Sequence, residues 1–284
     1  MKSLENENKV ISVFDRNRDF TYQGWRYHII TAGKPRVQKG KGEPKTDIYL
    51  LFRIDHWGDL EVKITLKQKD FNFMENKVKM ERFEAIVGEG NGAEKATMIA
   101  ESVMKQDLDG ILESCRPETG YIRRKGEKPC TRYTLGYRLD ITNQNNGKRS
   151  FPLGLTLEQK MEVFSGAKLE ERKRDAIVCG KVIKNSGVAN VMLEMDLTGD
   201  ETPQEILAAL RPLSDETLYD NYDLYGTLKA VNYYTNGKYE HSRPLVLQVR
   251  SNEVDGELRP EVYVDRPLLV NSTEKVKENK ETYR

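Results

Sequence analysis

Residues 46–68 read TDIYLLFRIDHWGDLEVKITLKQ, with two runs in which every second side chain is apolar. Alternate positions are apolar over residues 48–54 and again over residues 60–66. A period of two is typical of a β-strand that buries one of its faces. The residues between the two runs, HWGD at 56–59, indicate a tight turn. The stretch therefore predicts a β-hairpin over residues 47–68 with one apolar face and one polar face.

Three charged side chains of this hairpin suit phosphodiester cleavage. Asp47 begins the first strand, and Glu61 and Lys63, two residues apart, project from the polar face of the second. Two carboxylates, with water and a phosphate oxygen, match the octahedral coordination of Mg²⁺. A lysine beside the ion can stabilise the attacking hydroxide and the charge that grows on the phosphate. We expect the two carboxylates to converge on one Mg²⁺; the alternative is three side chains on a solvated sheet face.

This pattern resembles the bipartite motif of the PD-(D/E)XK nuclease superfamily, and within it the type II restriction endonucleases. The resemblance covers residues 44–68 of the 284. It implies that Asp47 and Glu61 are metal ligands, that the Val62 carbonyl completes the metal shell, and that Lys63 is the catalytic lysine. It also places Gln68 near the site.

The chain departs from the motif in one position and leaves another open. Thr46 stands where the motif has proline. Nucleases of this kind often supply a further acidic residue from an early helix, and the sequence offers both Glu5 and Glu7 for that role.

Basic residues gather in the first half of a nearly neutral chain. The chain has 46 Lys plus Arg against 45 Asp plus Glu, but residues 1–150 carry a net charge of +6 and the remainder −5. Clustered Lys, Arg and Tyr side chains predict a nucleic-acid footprint, with a solvated face as the alternative. The predicted DNA contacts are Lys39, Lys41, Lys45, Asn72, Arg123, Arg124, Lys125, Arg132 and Arg138.

The order of patterns along the chain predicts an α/β protein: a central mixed β-sheet flanked by helices, with a strand-rich C-terminal half. The resemblance implies a restriction-endonuclease-like version of that fold. We expect one nuclease domain over residues 1–270, elaborated from about residue 156, and a polar tail over 271–284. Helical spacing predicts helices over residues 70–87, 91–115 and 157–173.

These features predict a Mg²⁺-dependent endonuclease that cleaves double-stranded DNA, with sequence specificity of the restriction type and a homodimer to match a palindromic target. Two alternatives stay open: a non-catalytic nucleic-acid-binding or protein-interaction module on a nuclease-like fold, and a DNA repair or recombination nuclease. Three dispersed cysteines form no disulfide framework or zinc pattern. Without a membrane-length apolar run or a signal peptide, we expect a cytoplasmic protein with no membrane partner.

Overall fold

The computed structural model describes residues 2–40, 42–68, 71–88, 98, 102, 117–118, 121–122, 132–235, 245–254, 257–266 and 270–275. The chain groups into two compact units, each made of two segments. Unit 1 comprises Met1–Asn72 and Leu155–Tyr222, and unit 2 comprises Phe73–Gly154 and Asp223–Arg284. The single domain expected over residues 1–270 stays a prediction, because a division by internal contacts does not show which part folds independently.

Runs of strands are interrupted by helices along the described chain. The helices are α1 (Lys2–Arg16), α2 (Met80–Val87), α3 (Leu157–Ser165), α4 (Glu171–Arg174) and α5 (Pro203–Ala209), with 3₁₀ turns η1 (Gly147–Arg149) and η2 (Glu216–Asn221). The strands are β1 (Asp19–Tyr22), β2 (Trp25–Gly33), β3 (Ile48–Ile54), β4 (Gly58–Lys67), β5 (Phe73–Val78), β6 (Pro117–Glu118), β7 (Tyr121–Ile122), β8 (Arg132–Thr142), β9 (Ser150–Pro152), β10 (Ile177–Val178), β11 (Lys181–Val182), β12 (Val191–Glu194), β13 (Leu210–Pro212), β14 (Tyr225–Thr235), β15 (Leu245–Val254), β16 (Glu257–Arg266) and β17 (Val270–Lys275).

Unit 1 is built on a six-stranded mixed sheet. The strand order is β1-β2-β3-β4-β12-β13. Neighbouring strands are antiparallel except β4 and β12, which run parallel. Strands β3 and β4 form the predicted hairpin, in a register that pairs Ile48 with Ile64 and Ile54 with Gly58. The mixed α/β class and the hairpin are thus confirmed.

Helix α1 covers one face of this sheet. Its apolar side chains lie in one buried cluster with the alternating apolar residues of the hairpin, and the fully buried members are Val10, Val13, Phe14, Ile29, Ile48, Leu50, Phe52, Ile64, Leu193 and Ile206. Burying a side chain of this size stabilises the fold by about 1.5–3 kcal/mol. The period-two pattern of the hairpin therefore determines which face receives the helix.

The opposite face of the hairpin is also largely buried. Tyr49 and Thr65 lie on it and are each 1% exposed, and Met192 of β12 is equally buried. The Lys63 side chain on the same face is 14% exposed. The polar face predicted from the sequence is therefore buried at the level of Tyr49 and Thr65, whereas the Glu61 side chain, nearer the turn, is 40% exposed.

Unit 2 contains an antiparallel sheet in the order β17-β16-β15-β8-β14-β9, with β5 also paired to β8. The strands β14 to β17 confirm the strand-rich C-terminal half. Residues 271–275 belong to β17, which pairs with β16, so the polar tail expected from residue 271 begins within a strand. Backbone hydrogen bonds to β16 form a strand there although the side chains of residues 271–275 are polar.

Two predicted helices differ from the structure. Residues 73–78 form β5 rather than the first half of a helix, because the segment pairs with β8 and the Lys77 amide donates to the buried Asp140 at 2.7 Å. The helix predicted over 157–173 ends at Ser165, because Gly166 takes a left-handed conformation at φ 71°. The helix predicted over 91–115 lies outside the described residues, apart from helical residues 98 and 102.

Candidate functional site

Asp47 lies immediately before β3, where the hairpin begins. Its amide donates to the Ile64 carbonyl at 2.8 Å, and its Oδ2 accepts a hydrogen bond from the Leu66 amide at 2.7 Å. Extending the pairing of Ile48 with Ile64 by one residue puts Asp47 opposite Thr65. The carboxylate is thus held beside the end of β4 by backbone hydrogen bonds.

Three charged side chains influence the pKa of this carboxylate. Burial raises the pKa of Asp47 to about 6, against the opposing charge of Lys67 and the Leu66 amide; the charge of Glu7 raises it further and that of Lys34 lowers it. Glu7 is 3% exposed on α1 and forms an ion pair with Lys34. Of the two acidic residues that the early helix offers, Glu7 is therefore the one near Asp47. Glu5 is instead largely exposed and paired with Lys9 at 3.7 Å.

Glu61 and Lys63 form a second group farther along β4. The Lys63 Nζ lies 3.8 Å from Glu61 Oε2, and the Tyr49 hydroxyl donates to Glu61 Oε1 at 2.5 Å. Burial raises the pKa of Tyr49, as does the hydrogen bond to Glu61. The Asn190 side chain accepts from the Lys63 amide at 2.7 Å and donates to the Glu61 carbonyl at 3.1 Å, which fixes this part of β4.

The register separates these two groups. Glu61 pairs with Leu51, four residues after Asp47, so the two acidic residues lie about 13 Å apart along the strands. Two oxygens bound to one Mg²⁺ are at most about 4 Å apart. In the described part of the chain, no hydrogen bond or ion pair joins Asp47 to Glu61 or Lys63. The structure brings Glu61 and Lys63 together, and it brings Asp47 together with Glu7 and Lys67 instead.

The carboxyl ends of the parallel strands β4 and β12 meet beside Asp47. Lys67 pairs in register with Glu194, and its Nζ lies 5.6 Å from the centre of the Phe71 ring. The Tyr222 hydroxyl donates to Glu194 Oε2 at 3.2 Å. Burial raises the pKa of Tyr222 to about 12, so this hydroxyl stays a donor at neutral pH. Ligand sites in α/β sheets often form at such strand ends.

Two other predicted site residues flank this region. Gln68 follows β4 directly, and its carbonyl accepts from the Phe71 amide at 3.2 Å. The Val62 side chain is 7% exposed and belongs to the apolar cluster under α1.

Asp47 and Glu7 are candidate ligands for a hard cation. Asp47 and Glu7 supply carboxylate oxygens close enough for one charge to raise the other's pKa. The hydroxyl of Thr46 is buried and has no hydrogen-bond partner among the described residues. No cluster of three His, Cys, Asp or Glu side chains able to hold a metal occurs in the described ranges. Mg²⁺ needs only one or two carboxylates when water and phosphate complete its shell, so the two acids suffice.

The predicted DNA contacts fall in different places. Lys39 is exposed and Lys45 part-buried, whereas Asn72 lies part-buried just before β5 and not on a helix. The Arg138 side chain is 14% exposed and its guanidinium binds the buried Asp140 at 3.0 Å, so it is engaged inside unit 2. Arg132 begins β8. Outside the described residues lie Lys41, Arg123, Arg124 and Lys125.

Sequence reasoning left the choice between Glu5 and Glu7 open and did not place Lys34 or Lys67 beside Asp47. One signal identifies Glu7: it shares the helical face of Val10 and Phe14, three and seven residues later, which are fully buried. An acidic residue on the apolar face of a helix must have a compensating partner. The sequence gives no such signal for the approach of Lys34 and Lys67 to Asp47, because that approach depends on how β2 and β4 are placed in the fold.

Within the described residues, no helix is long and apolar enough to span a membrane. No protein-family model matches the chain, and no curated protein or solved structure is significantly similar to it.

Proposed function

We propose that this protein is a Mg²⁺-dependent endonuclease of double-stranded DNA with a restriction-endonuclease-like fold and sequence specificity. One observation carries the proposal: the part-buried Asp47 carboxylate, with its pKa raised to about 6, lies among Glu7, Lys34 and Lys67 beside the ends of β4 and β12. Acidic oxygens for a cation and ammonium groups for a phosphate converge at one place.

The proposed roles follow from the chemistry of each group. Asp47 and Glu7 hold the cation, and Leu66 orients the Asp47 carboxylate through its amide. Lys67 stabilises the charge that grows on the phosphate while water attacks phosphorus and one bridging P–O bond breaks. When bound, Mg²⁺ lowers the pKa of water and polarises the phosphoryl oxygens. At neutral pH an acid with a pKa near 6 is mostly ionised, which suits a cation ligand.

The motif implies that Glu61 is a metal ligand and that Lys63 is the catalytic lysine. Both roles remain predictions. The geometry of these two residues supports a role other than cation binding, because the Glu61 carboxylate already accepts a hydrogen bond from Tyr49 and pairs with the Lys63 ammonium group. Substitutions at Asp47, Glu7 and Lys67, compared with substitutions at Glu61 and Lys63, show which group forms the catalytic centre.

The test is cleavage of a complex DNA with Mg²⁺ or with a chelator. Discrete fragments that require Mg²⁺ are expected from the native protein. D47N, E7Q and K67A should each lower the cleavage rate by about 10²-fold or more, since each removes charge at the proposed centre. E61Q and K63A should lose less.

Two results would contradict this assignment. Equal losses for E61Q and D47N would restore the centre predicted from the motif. Absence of cleavage on linear, supercoiled, single-stranded and branched DNA would refute the nuclease.

One observation favours a binding module without catalysis: Glu7 already has an ion-pair partner in Lys34. Calorimetric titration with Mg²⁺ separates the two functions. A nuclease binds the ion, and D47N abolishes that binding; a binding module shows no Mg²⁺-dependent heat but binds DNA with or without chelator.

A further inference from the structure

Two segments of unit 1 that are remote in sequence carry an excess of positive charge. Residues 34–46 contain five basic and one acidic residue, and residues 166–187 contain six basic and three acidic residues. The two segments together have a net charge of +7 in a chain whose net charge is +1. Only the first segment stands out in the sequence as a basic cluster.

Backbone hydrogen bonds join the two segments into one surface. Arg36 and Ile177 exchange amide-to-carbonyl hydrogen bonds of 2.9 and 2.7 Å. The Gln38 amide donates to the Arg172 carbonyl at 3.2 Å, and the Arg172 guanidinium donates to the Lys39 carbonyl. These contacts hold the two segments side by side, although Lys39 and Arg172 are 133 residues apart in the sequence.

Some basic side chains of this surface are paired with acidic groups, and five exposed ones are not paired with any described residue. Glu170 pairs with Arg172 at 2.6 Å and with Lys173 at 3.0 Å. The remaining exposed basic side chains have no ion pair within the described ranges, and they are Arg36, Lys39, Lys168, Lys181 and Lys184. Exposed, unpaired cations held on a rigid backbone are the groups that bind phosphates.

The surface runs directly into the candidate site. The amides of Lys45 and Thr46 both donate to the Gly187 carbonyl, at 3.0 and 3.2 Å, and Asp47 is the next residue. The Gly187 amide in turn donates to the Arg174 carbonyl at 2.7 Å. The Gly187 backbone thus connects the second segment to the residues that immediately precede Asp47.

We propose that residues 34–46 and 166–187 together form a binding surface for the phosphate backbone of duplex DNA next to Asp47. The inference rests on the proposed function, which it deepens by assigning the phosphate contacts to Lys168, Lys181 and Lys184 as well as to Arg36 and Lys39. Several separate cations spread over two segments suit a polyanion better than a single phosphate.

The test is the salt dependence of binding to a labelled DNA duplex in chelator, where no cleavage occurs. The K181E/K184E pair reverses two charges in the second segment, and R36E/K39E reverses two in the first. The matched control, K79E/K229E, makes the same change in net charge at exposed lysines of unit 2. Thermal melting of each variant shows that it is folded.

Both surface pairs are expected to weaken binding by about tenfold or more and to reduce the slope of log K against log salt by about 2, since each phosphate contact contributes about 0.9. The control pair should leave both quantities close to those of the native protein. The proposed surface would be refuted if all three charge-reversal pairs weakened DNA binding equally, or if none of them weakened it. Binding to vesicles of anionic lipid that exceeds binding to DNA would also overturn it, in favour of a membrane partner.

Cleavage of unlabelled DNA with Mg²⁺ distinguishes failure of this surface from failure of the proposed function. Native protein that binds through the two segments but never cleaves supports the surface and refutes the nuclease. Cleavage by native protein, with surface pairs that bind as tightly as the control, refutes the surface and leaves the nuclease intact.

Discussion

The Asp47 carboxylate is a part-buried acid whose ionisation opposes folding. Burial raises its pKa from 3.8 to about 6, although Lys67 and the Leu66 amide favour the ionised form. The folded chain therefore binds this proton more tightly than the unfolded chain does. Stability falls as the pH rises from about 4 to about 6, and the full penalty persists above that range. A site that holds a cation provides a physical reason to retain such a group.

At the residue scale we expect D47N to be more stable than the native protein at neutral pH. The gain should be roughly 1–3 kcal/mol above about pH 7 and should vanish below about pH 4, where the native carboxyl is protonated in both states. Urea unfolding at a series of pH values in chelator measures it. A gain that is constant with pH would show that the side chain, and not its charge, is responsible.

Mg²⁺ should reverse this difference. A cation that binds the folded state stabilises the native protein in proportion to the logarithm of its concentration, whereas D47N lacks the ligand. Melting temperatures with and without Mg²⁺ test this, with Ca²⁺ as a second probe. Equal shifts for both proteins would place the cation elsewhere.

At the scale of elements, the short helix α5 depends on its first turn. Thr202 is the N-cap: its hydroxyl accepts from the Glu205 amide at 3.3 Å, and Glu205 accepts from the Thr202 amide at 2.8 Å. Thr, Pro and Glu at these positions predict this capping box from the sequence, and the structure confirms it.

Thr202→Ala should lower the free energy of unfolding by about 1 kcal/mol, because the Glu205 amide loses its acceptor. Ser at the same position retains the hydroxyl and is the matched control. Denaturant unfolding of both variants measures the difference. A loss as large for Thr202→Ser as for Thr202→Ala would attribute the effect to packing of the methyl group.

The loop at Gly187 joins the two basic segments to the hairpin. A β-carbon there would lie 1.8 Å from the Lys173 carbonyl oxygen, far inside van der Waals contact. Gly187→Ala should therefore cost about 3 kcal/mol or more, because the backbone must shift. Gly24→Ala, in an open turn at φ 81°, should cost only about 1–2 kcal/mol. Equal losses in thermal or urea unfolding would show that the Gly187 loop yields easily.

At the scale of the whole molecule, the function proposed for this chain calls for two copies. A palindromic DNA target has two-fold symmetry, and cleavage of both strands needs one site on each. Light scattering on the purified protein should give about twice the 32.8 kDa mass of one chain, alone or with target DNA. A monomer under both conditions, together with cleavage, would favour a nuclease that reads DNA shape.

Local sequence is enough to predict the hairpin, its apolar face and the α5 cap, because these depend on local periodicity and on residues three or four positions apart. The composition of the site depends instead on contacts between remote segments. A period of two assigns Asp47, Glu61 and Lys63 to a face but leaves open their positions along it, and the observed register sets Asp47 opposite Thr65. Glu7, Lys34 and Lys67 gather around Asp47 because α1, β2 and β4 pack there, and contacts between segments remote in the chain leave no local pattern.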